Sequence, residues 1–269
     1  MKLPLISVIM GVYYQRHDTT LLVRSVRSVL SQTYSDFELI ICDDGSSDQA
    51  QEALDQLALQ DSRVRLVRSG SLISLPQKLN ACLKEARGSF IARMDDDDFS
   101  RPDRFEKQVK YMLQNPNAAF VGCNVALCRD GTQVGERKLP EFPEVRDFYF
   151  VQPYIHPALI FRRDVLVAEG GYSEDRHCIL CEDYDLLLRL YAAGHRGINL
   201  QEILFDYTVS STAKGNRKMY HRWNEAVTRW RRFRQLGVLP EALPFVIKPL
   251  IVGLIPEVLL RRLKEGHQA

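Results

Sequence analysis

Residues 37–59 read FELIICDDGSSDQAQEALDQLAL, and the order of these side chains decides the fold. Phe37–Cys42 is a short run rich in apolar and β-branched residues, which predicts a buried strand. Two aspartates and a glycine interrupt it. Ser46, Ser47 or Asp48 can then cap a helix over Ser47–Leu59 that turns Ala50, Leu54, Leu57 and Ala58 inward. A strand passed through an acidic turn to an amphipathic helix is the repeating unit of an α/β protein.

The unit recurs on both sides. Ile6–Met10, Val64–Val67, Phe90–Met94 and Ala119–Val121 read as further buried strands. A helix begins at Asp18 or Thr19 and gathers Leu22, Val26, Val29 and Leu30 on one face. Others cover Pro76–Glu85 and Arg104–Gln114, the latter led by Pro102 and turning Phe105, Val109, Met112 and Leu113 inward. Such alternation predicts a mostly parallel sheet flanked by helices. From Gly122 to Arg146 the pattern weakens, with a turn signal at Arg129-Asp130-Gly131. A strand at Ala158–Phe161 and a helix from about Glu182 to Ala193 follow.

Composition narrows the function. With 269 residues, 45% of them hydrophobic, the chain can bury a substantial core, and a net charge of +2 gives no case for nucleic acid. The opening MKLPLISVIMGVYYQ is too short for a membrane span and reads as a first strand rather than a signal peptide. Six cysteines lack zinc-ligand spacing apart from the single pair Cys178 and Cys181, which predicts reduced thiols and a cytoplasmic protein. After Tyr207 the character changes: Lys214–Arg234 holds eight basic residues against Glu225 alone. The segment beyond it is apolar but broken by Pro244, Pro249 and Pro256. That makes a poor transmembrane helix. It reads either as an amphipathic tail lying peripherally on the cytosolic membrane face or as a helical tail packed on protein.

Ligands of open α/β sheets bind beyond the carboxyl ends of the strands, so residues just after each strand carry the functional reading. Asp43 and Asp44 suit hydrogen bonding to a base or ribose, and serve equally as an acidic turn before a helix. Asp95, Asp96, Asp97 and Asp98 follow a strand directly. Their mutual repulsion favours a divalent cation, Mg²⁺ or Mn²⁺, with a diphosphate completing its shell. Alternation along the backbone puts Asp95 and Asp97 on one side. Glu182, Asp183 and Asp185 open a helix; Asp185 has Arg189 one turn on, whereas Asp183 has no such partner at that spacing and could act as a general base. Tyr13, after the first strand, could stack on a base. His156, just before a strand, reads as structural or exposed.

Four segments in this order, SVIMGVYY, SVLSQTYSDFELIICDDGSSD, GSFIARMDDDDFSRPDRFEKQ and GGYSEDRHCILCEDYDLLLRL, resemble glycosyltransferase family 2 over about residues 4–210. The resemblance implies the GT-A fold, a Rossmann-like sheet with a C-terminal helical tail. It also implies an inverting transferase that uses a nucleotide-diphosphate sugar, UDP by default, and a glycan or lipid-linked glycan acceptor. Residues 1–210 would form the transferase domain, with a nucleotide-sugar-binding half over 1–100 and an acceptor half over 101–210, and 211–269 the tail. Gly11, Tyr13, Asp43, Asp44, Asp95 and Asp96 would line the donor site, Asp97 and Asp95 would hold the metal, and Asp183 with Glu182 would supply the base. Gly11 stands where the family usually has proline, Tyr14 where asparagine is frequent, and Asp96 replaces a small residue. A sugar nucleotidyltransferase would carry a glycine-rich basic loop where this chain has GVYYQRHD. A non-catalytic binding protein is the other alternative.

Overall fold

The computed structural model describes residues 5–68, 70–72, 74–209 and 219–254. They fall into two units, one of residues 5–172 with 195–209 and one of 173–194 with 219–254.

The first unit is built on a nine-stranded sheet. Strands β1 (Ile6–Val12), β2 (Phe37–Asp43), β3 (Val64–Val67) and β4 (Phe90–Arg93) run parallel in the order β3-β2-β1-β4. All of β2 and all of β1 except Gly11 are buried, as in strands covered on both faces. The covering helices are α1 (Thr20–Leu30), α2 (Asp48–Gln60), α3 (Leu75–Glu85) and α4 (Arg104–Gln114). Ser47 caps α2 through the Ala50 N–H, and Ser74 with Gln77 forms a reciprocal capping box on α3. Phe105 of α4 meets Phe37 edge-on at 6.0 Å and ties that helix into the core.

Beyond β4 the sheet is extended by β5 (Phe99–Ser100), β6 (Ala118–Arg129), β7 (Thr132–Arg137), β8 (Ile160–Arg162) and β9 (Arg196–Thr208). The order continues β4-β8-β6-β9-β5, with β7 on β6. β8 is antiparallel to both β4 and β6, β9 runs parallel to β6, and β5 returns antiparallel to β9. The weak pattern after Gly122 is the β6–β7 hairpin. Its turn falls at Asp130 and Gly131, with φ of 50° and 79°, the left-handed pair that a two-residue hairpin loop requires. Pro157 lies in a 3-10 turn over His156–Ala158, so the expected strand at 158–161 starts at Ile160. A short helix, α5 (Arg163–Ala168), follows it.

The second unit contains a 3-10 turn (Arg176–Cys178) and helices α6 (Glu182–Ala192), α7 (Met219–Gln235) and α8 (Leu239–Leu254). Pro244 and Pro249 lie inside α8. Among the described residues no helix is long and apolar enough to cross a membrane. Lys214, Arg217 and Lys218 of the basic run, and the apolar segment from residue 255 onward, lie outside the described residues.

Candidate functional site

The carboxyl ends of β1 and β2 meet at one buried cation. Gly11 makes this possible: a Cβ there would stand 2.8 Å from Leu75 Cδ1 and 3.1 Å from Lys78 Cβ, so its absence lets α3 lie directly on β1. Lys78 thereby reaches between the strand ends, only 2% exposed, and donates to the carbonyl oxygens of Val12 and Asp44. Burial lowers its pKa, while Cys42, Asp43, Asp44 and Asp96 hold the ammonium charged. Asp43, Asp44 and Asp96, which follow different strands, all lie near enough to this cation to raise its pKa.

Tyr13 is 67% exposed, with the Lys78 ammonium 5.2 Å from its ring centre. A Cβ on Gly45 would sit 3.3 Å from the Tyr13 ring, so the acidic turn packs against this aromatic. The two aspartates after β2 differ sharply. Asp44 accepts hydrogen bonds from the N–H groups of Gly70 and Leu72 at 2.8 and 3.0 Å, and so shapes the loop after β3. The side chain of Asp43 is 1% exposed, with Arg68 Nε at 3.4 Å, and among the described residues neither of its oxygens has a hydrogen-bond donor. A buried carboxylate left with spare acceptors at a strand end suits a ligand N–H or hydroxyl.

The acidic run after β4 rests on two buried arginines. Arg93 donates to Asp95 Oδ1 and to the Met94 carbonyl; burial works against its charge, and Asp95, Tyr172 and Asp98 more than compensate. Arg104 donates to the Arg93 carbonyl at 2.9 Å, and burial pulls its pKa down to about 10. Ser25 donates to the Asp95 carbonyl at 2.6 Å, Thr208 Oγ1 to the Asp97 carbonyl at 2.6 Å, and the Thr208 N–H to Asp98 Oδ1 at 2.7 Å. Asp98 Oδ2 is buried and has no partner among the described residues. Burial, then the neighbouring carboxylates, push Asp96 up to about 7 and Asp97 up to about 6, and raise Asp98 well above the usual range.

This crowding fits a cation, which would relieve the repulsion that now favours protons. Among the described residues no three His, Cys, Asp or Glu side chains are grouped to hold an ion. A cation here would complete its shell with substrate phosphates, as Mg²⁺ commonly does. A pH dependence follows. Asp96 and Asp97 hold protons more tightly folded than at their ordinary 3.8, so between that value and about 6 to 7 the folded state carries more protons than the unfolded one. Stability of the metal-free protein should thus fall as pH rises through this window, and Mn²⁺ should offset the fall. Urea unfolding at about pH 5 and about pH 7.5, with Mn²⁺ and with EDTA, checks both; a flat profile would count against the raised carboxyls.

Glu182 and Asp183 belong to the second unit, in the first turn of α6, where the helix dipole favours negative charge. Asp183 Oδ1 accepts the Tyr184 N–H at 2.7 Å. Asp185 is buried and paired with Arg189 as its spacing implies, and also with Arg232 of α7. His156 is buried too, its Nε2 3.0 Å from the Tyr172 hydroxyl, and burial drives its pKa well down, which makes it a neutral structural group.

Sequence reasoning missed Lys78, Arg93, Arg104 and Arg232. Lys78 was signalled: it falls on the inward stripe Leu75, Lys78, Leu79, Cys82, where a charge is out of place. Arg93 similarly interrupts an apolar strand.

Comparison with known proteins shows the family and the fold. The profile described as Glycosyl transferase family 2 matches residues 7–168. The chain is 34% identical over 260 residues to the putative glycosyltransferase EpsE of Bacillus subtilis, covering 96% of this chain and 92% of that one. It is 37% identical over 212 residues to the O-antigen biosynthesis glycosyltransferase WbnJ of Escherichia coli, covering 77% and 80%. In structure it matches the mannosyltransferase PcManGT of Pyrobaculum calidifontis, solved with GDP-Man and Mn²⁺. There the TM-score is 0.64 at 18% identity, over 98% of this chain and 80% of that one. The protein is a glycosyltransferase with the GT-A fold. Within that class, the chain belongs to glycosyl transferase family 2.

Proposed function

We propose that this enzyme is an inverting, metal-dependent transferase that moves a sugar from a nucleoside-diphosphate donor, a UDP-sugar first, to a hydroxyl of a lipid-linked glycan during cell-surface polysaccharide synthesis. The observation that carries the donor half is the grouping of Asp43, Asp44, Asp96 and Tyr13 around Lys78, next to an acidic run that burial and repulsion leave short of countercharge. The relative WbnJ, named for O-antigen biosynthesis, supports the polysaccharide setting. PcManGT, solved with GDP-Man and Mn²⁺, supports a sugar nucleotide and a divalent ion.

In this reading Tyr13 stacks on the base, and the Asp43 carboxylate, beside Arg68, accepts from the base or ribose. Gly11 and Asp44 fix the walls of that pocket. Asp97 and Asp95 would hold Mn²⁺ or Mg²⁺, with Asp96 adding charge beside them. Such a cation would neutralise negative charge developing on the leaving diphosphate. Asp183, with Glu182 beside it, takes the proton of the acceptor hydroxyl as its oxygen bonds to the anomeric carbon and the bond to the diphosphate breaks. Attack opposite the leaving group inverts that centre.

Calorimetric titration of UDP into the protein tests this, with Mn²⁺ and with EDTA, for the wild type and Asp97→Ala. Binding that needs metal and disappears in the variant is the expected result. Blanks with UDP, GDP and TDP alike would favour a non-catalytic protein and sink the reading.

The tail has its own test. Arg222 and Arg229 pair with Glu225, Arg231 with Asp175 and Arg232 with Asp185, so much of the basic charge on α7 is already matched within the second unit. Leu243, Ile247, Ile251 and Leu254, at helical spacing on α8, are exposed. We assign peripheral membrane contact to this apolar face. Truncation after Leu239 is expected to abolish sedimentation with anionic vesicles; full retention on vesicles would refute the assignment.

A further inference from the structure

The clearest polar linkage in the second unit joins α7 to the segment that carries Asp183. The Asp185 side chain, 2% exposed, has a guanidinium on each oxygen: Arg189 Nε lies 2.9 Å from Oδ2 and Arg232 Nε 2.7 Å from Oδ1. Arg189 sits on the same helix four residues away, so its pairing cannot place that helix against anything else. Arg232 comes from α7, 47 residues along the chain, and does.

Three more contacts from the same side of α7 reach the turn before α6. Asn224 Nδ2 donates to the Arg176 carbonyl at 3.1 Å, Thr228 Oγ1 donates to the His177 carbonyl at 3.0 Å, and Arg231 pairs with Asp175 at 2.8 Å. Positions 224, 228, 231 and 232 recur at helical spacing and form one face. Around them, the Arg229 guanidinium lies 4.7 Å over the Tyr184 ring, and Phe233 meets Tyr184 edge-on at 6.5 Å. Leu180, just before α6, is held at φ 61°, a conformation seldom adopted by leucine that needs its surroundings to hold it.

We propose that Arg232 is a positioning residue for the transfer reaction: through Asp185 it fixes the first turn of α6, and with it Asp183. The inference rests on the reading of Asp183 as the base. It makes α7 part of the catalytic machinery rather than an appended tail.

Buried thiols supply a reporter that needs no ligand. All six cysteines are free and buried. Cys178 and Cys181 flank Leu180, and the Cys178 thiol faces Asp185, whereas Cys42, Cys82, Cys123 and Cys128 belong to the first unit. In the full-length protein, Arg232→Met is expected to speed alkylation of Cys178 and Cys181 by about tenfold, read by mass spectrometry, with the other four unchanged. Arg232→Lys, which keeps a charge but loses the planar fork, should restore much of the protection. Nucleotide release from UDP-glucose, UDP-N-acetylglucosamine or GDP-mannose should show kcat lowered by about 100-fold in Arg232→Met, with donor KM unchanged and partial recovery in Arg232→Lys.

Unchanged alkylation of Cys178 and Cys181 in Arg232→Met overturns the proposal. So does equal acceleration at all six thiols in both variants, which would mean general loss of structure. A lowered kcat that Arg232→Lys does not improve at all would also count against it. A wild type that binds no nucleotide would instead sink the donor reading, and the alkylation pattern would still decide whether Arg232 holds α6.

Discussion

Asp183→Asn is expected to lower the rate of sugar transfer by about 10² to 10⁴-fold and to leave UDP affinity where it was. The substitution removes the proton acceptor while keeping the size of the side chain. Asparagine has the same shape, and its carbonyl oxygen can still accept the Tyr184 N–H that Asp183 accepts at 2.7 Å. Helix starts tolerate asparagine about as well as aspartate, so α6 should persist. The side chains proposed to bind the donor belong to the first unit, so UDP binding is expected to stay unchanged. Nucleotide release under saturating donor measures the rate, and calorimetry measures the affinity. A variant that keeps most of its rate would remove Asp183 from the chemistry; a large loss in Glu182→Gln instead would transfer the role to its neighbour.

The second large effect concerns stability. Arg93→Met should destabilise the protein by about 1–3 kcal/mol near neutral pH, less than for a fully buried pair because Asp95 is 31% exposed. The Arg93 side chain is 1% exposed and pairs with Asp95, while Asp98 also draws on its charge. Methionine fills a similar volume and removes the buried Nε that has no partner, so packing is nearly conserved and the loss is electrostatic. The effect should shrink toward about pH 5, where protons can replace the missing guanidinium on the raised carboxyls. Urea unfolding of the wild type and variant at both pH values checks this. A loss below about 1 kcal/mol would mean that Arg93 contributes less than the desolvation of its own charge demands.

Much of this was legible in the sequence, and the reasons differ by region. The parallel half of the sheet announces itself because strands covered on both faces must be apolar throughout, as Ile40, Ile41 and Val8 are. The helices between them show because each buries one stripe. β9 was illegible. Its partner β6 shifts register at Cys123/Asn124 and again at Asn124/Val125, so buried and exposed residues of RGINLQEILFDYT do not alternate. β5 has two residues and no pattern at all. The acidic positions could be read because the general rule about strand ends directs attention to them. Their support could not: Arg104 reaches the Arg93 carbonyl from another element, and Arg232 reaches Asp185 across 47 positions. Both contacts exist only once the chain has folded.

The vacancy at position 11 has a consequence for how such chains can diverge. Any side chain there meets Leu75 first, at 2.8 Å from a methyl at the end of a flexible group, and the stem of Lys78 next, at 3.1 Å. The two helix positions therefore set the size of residue tolerated on the strand. Gly11→Pro alone should be poorly accepted, whereas the same change combined with Leu75→Ala opens the space it needs. Positions 11 and 75 are therefore expected to vary together: a relative carrying proline at the first should carry a smaller residue, or a more distant helix, at the second.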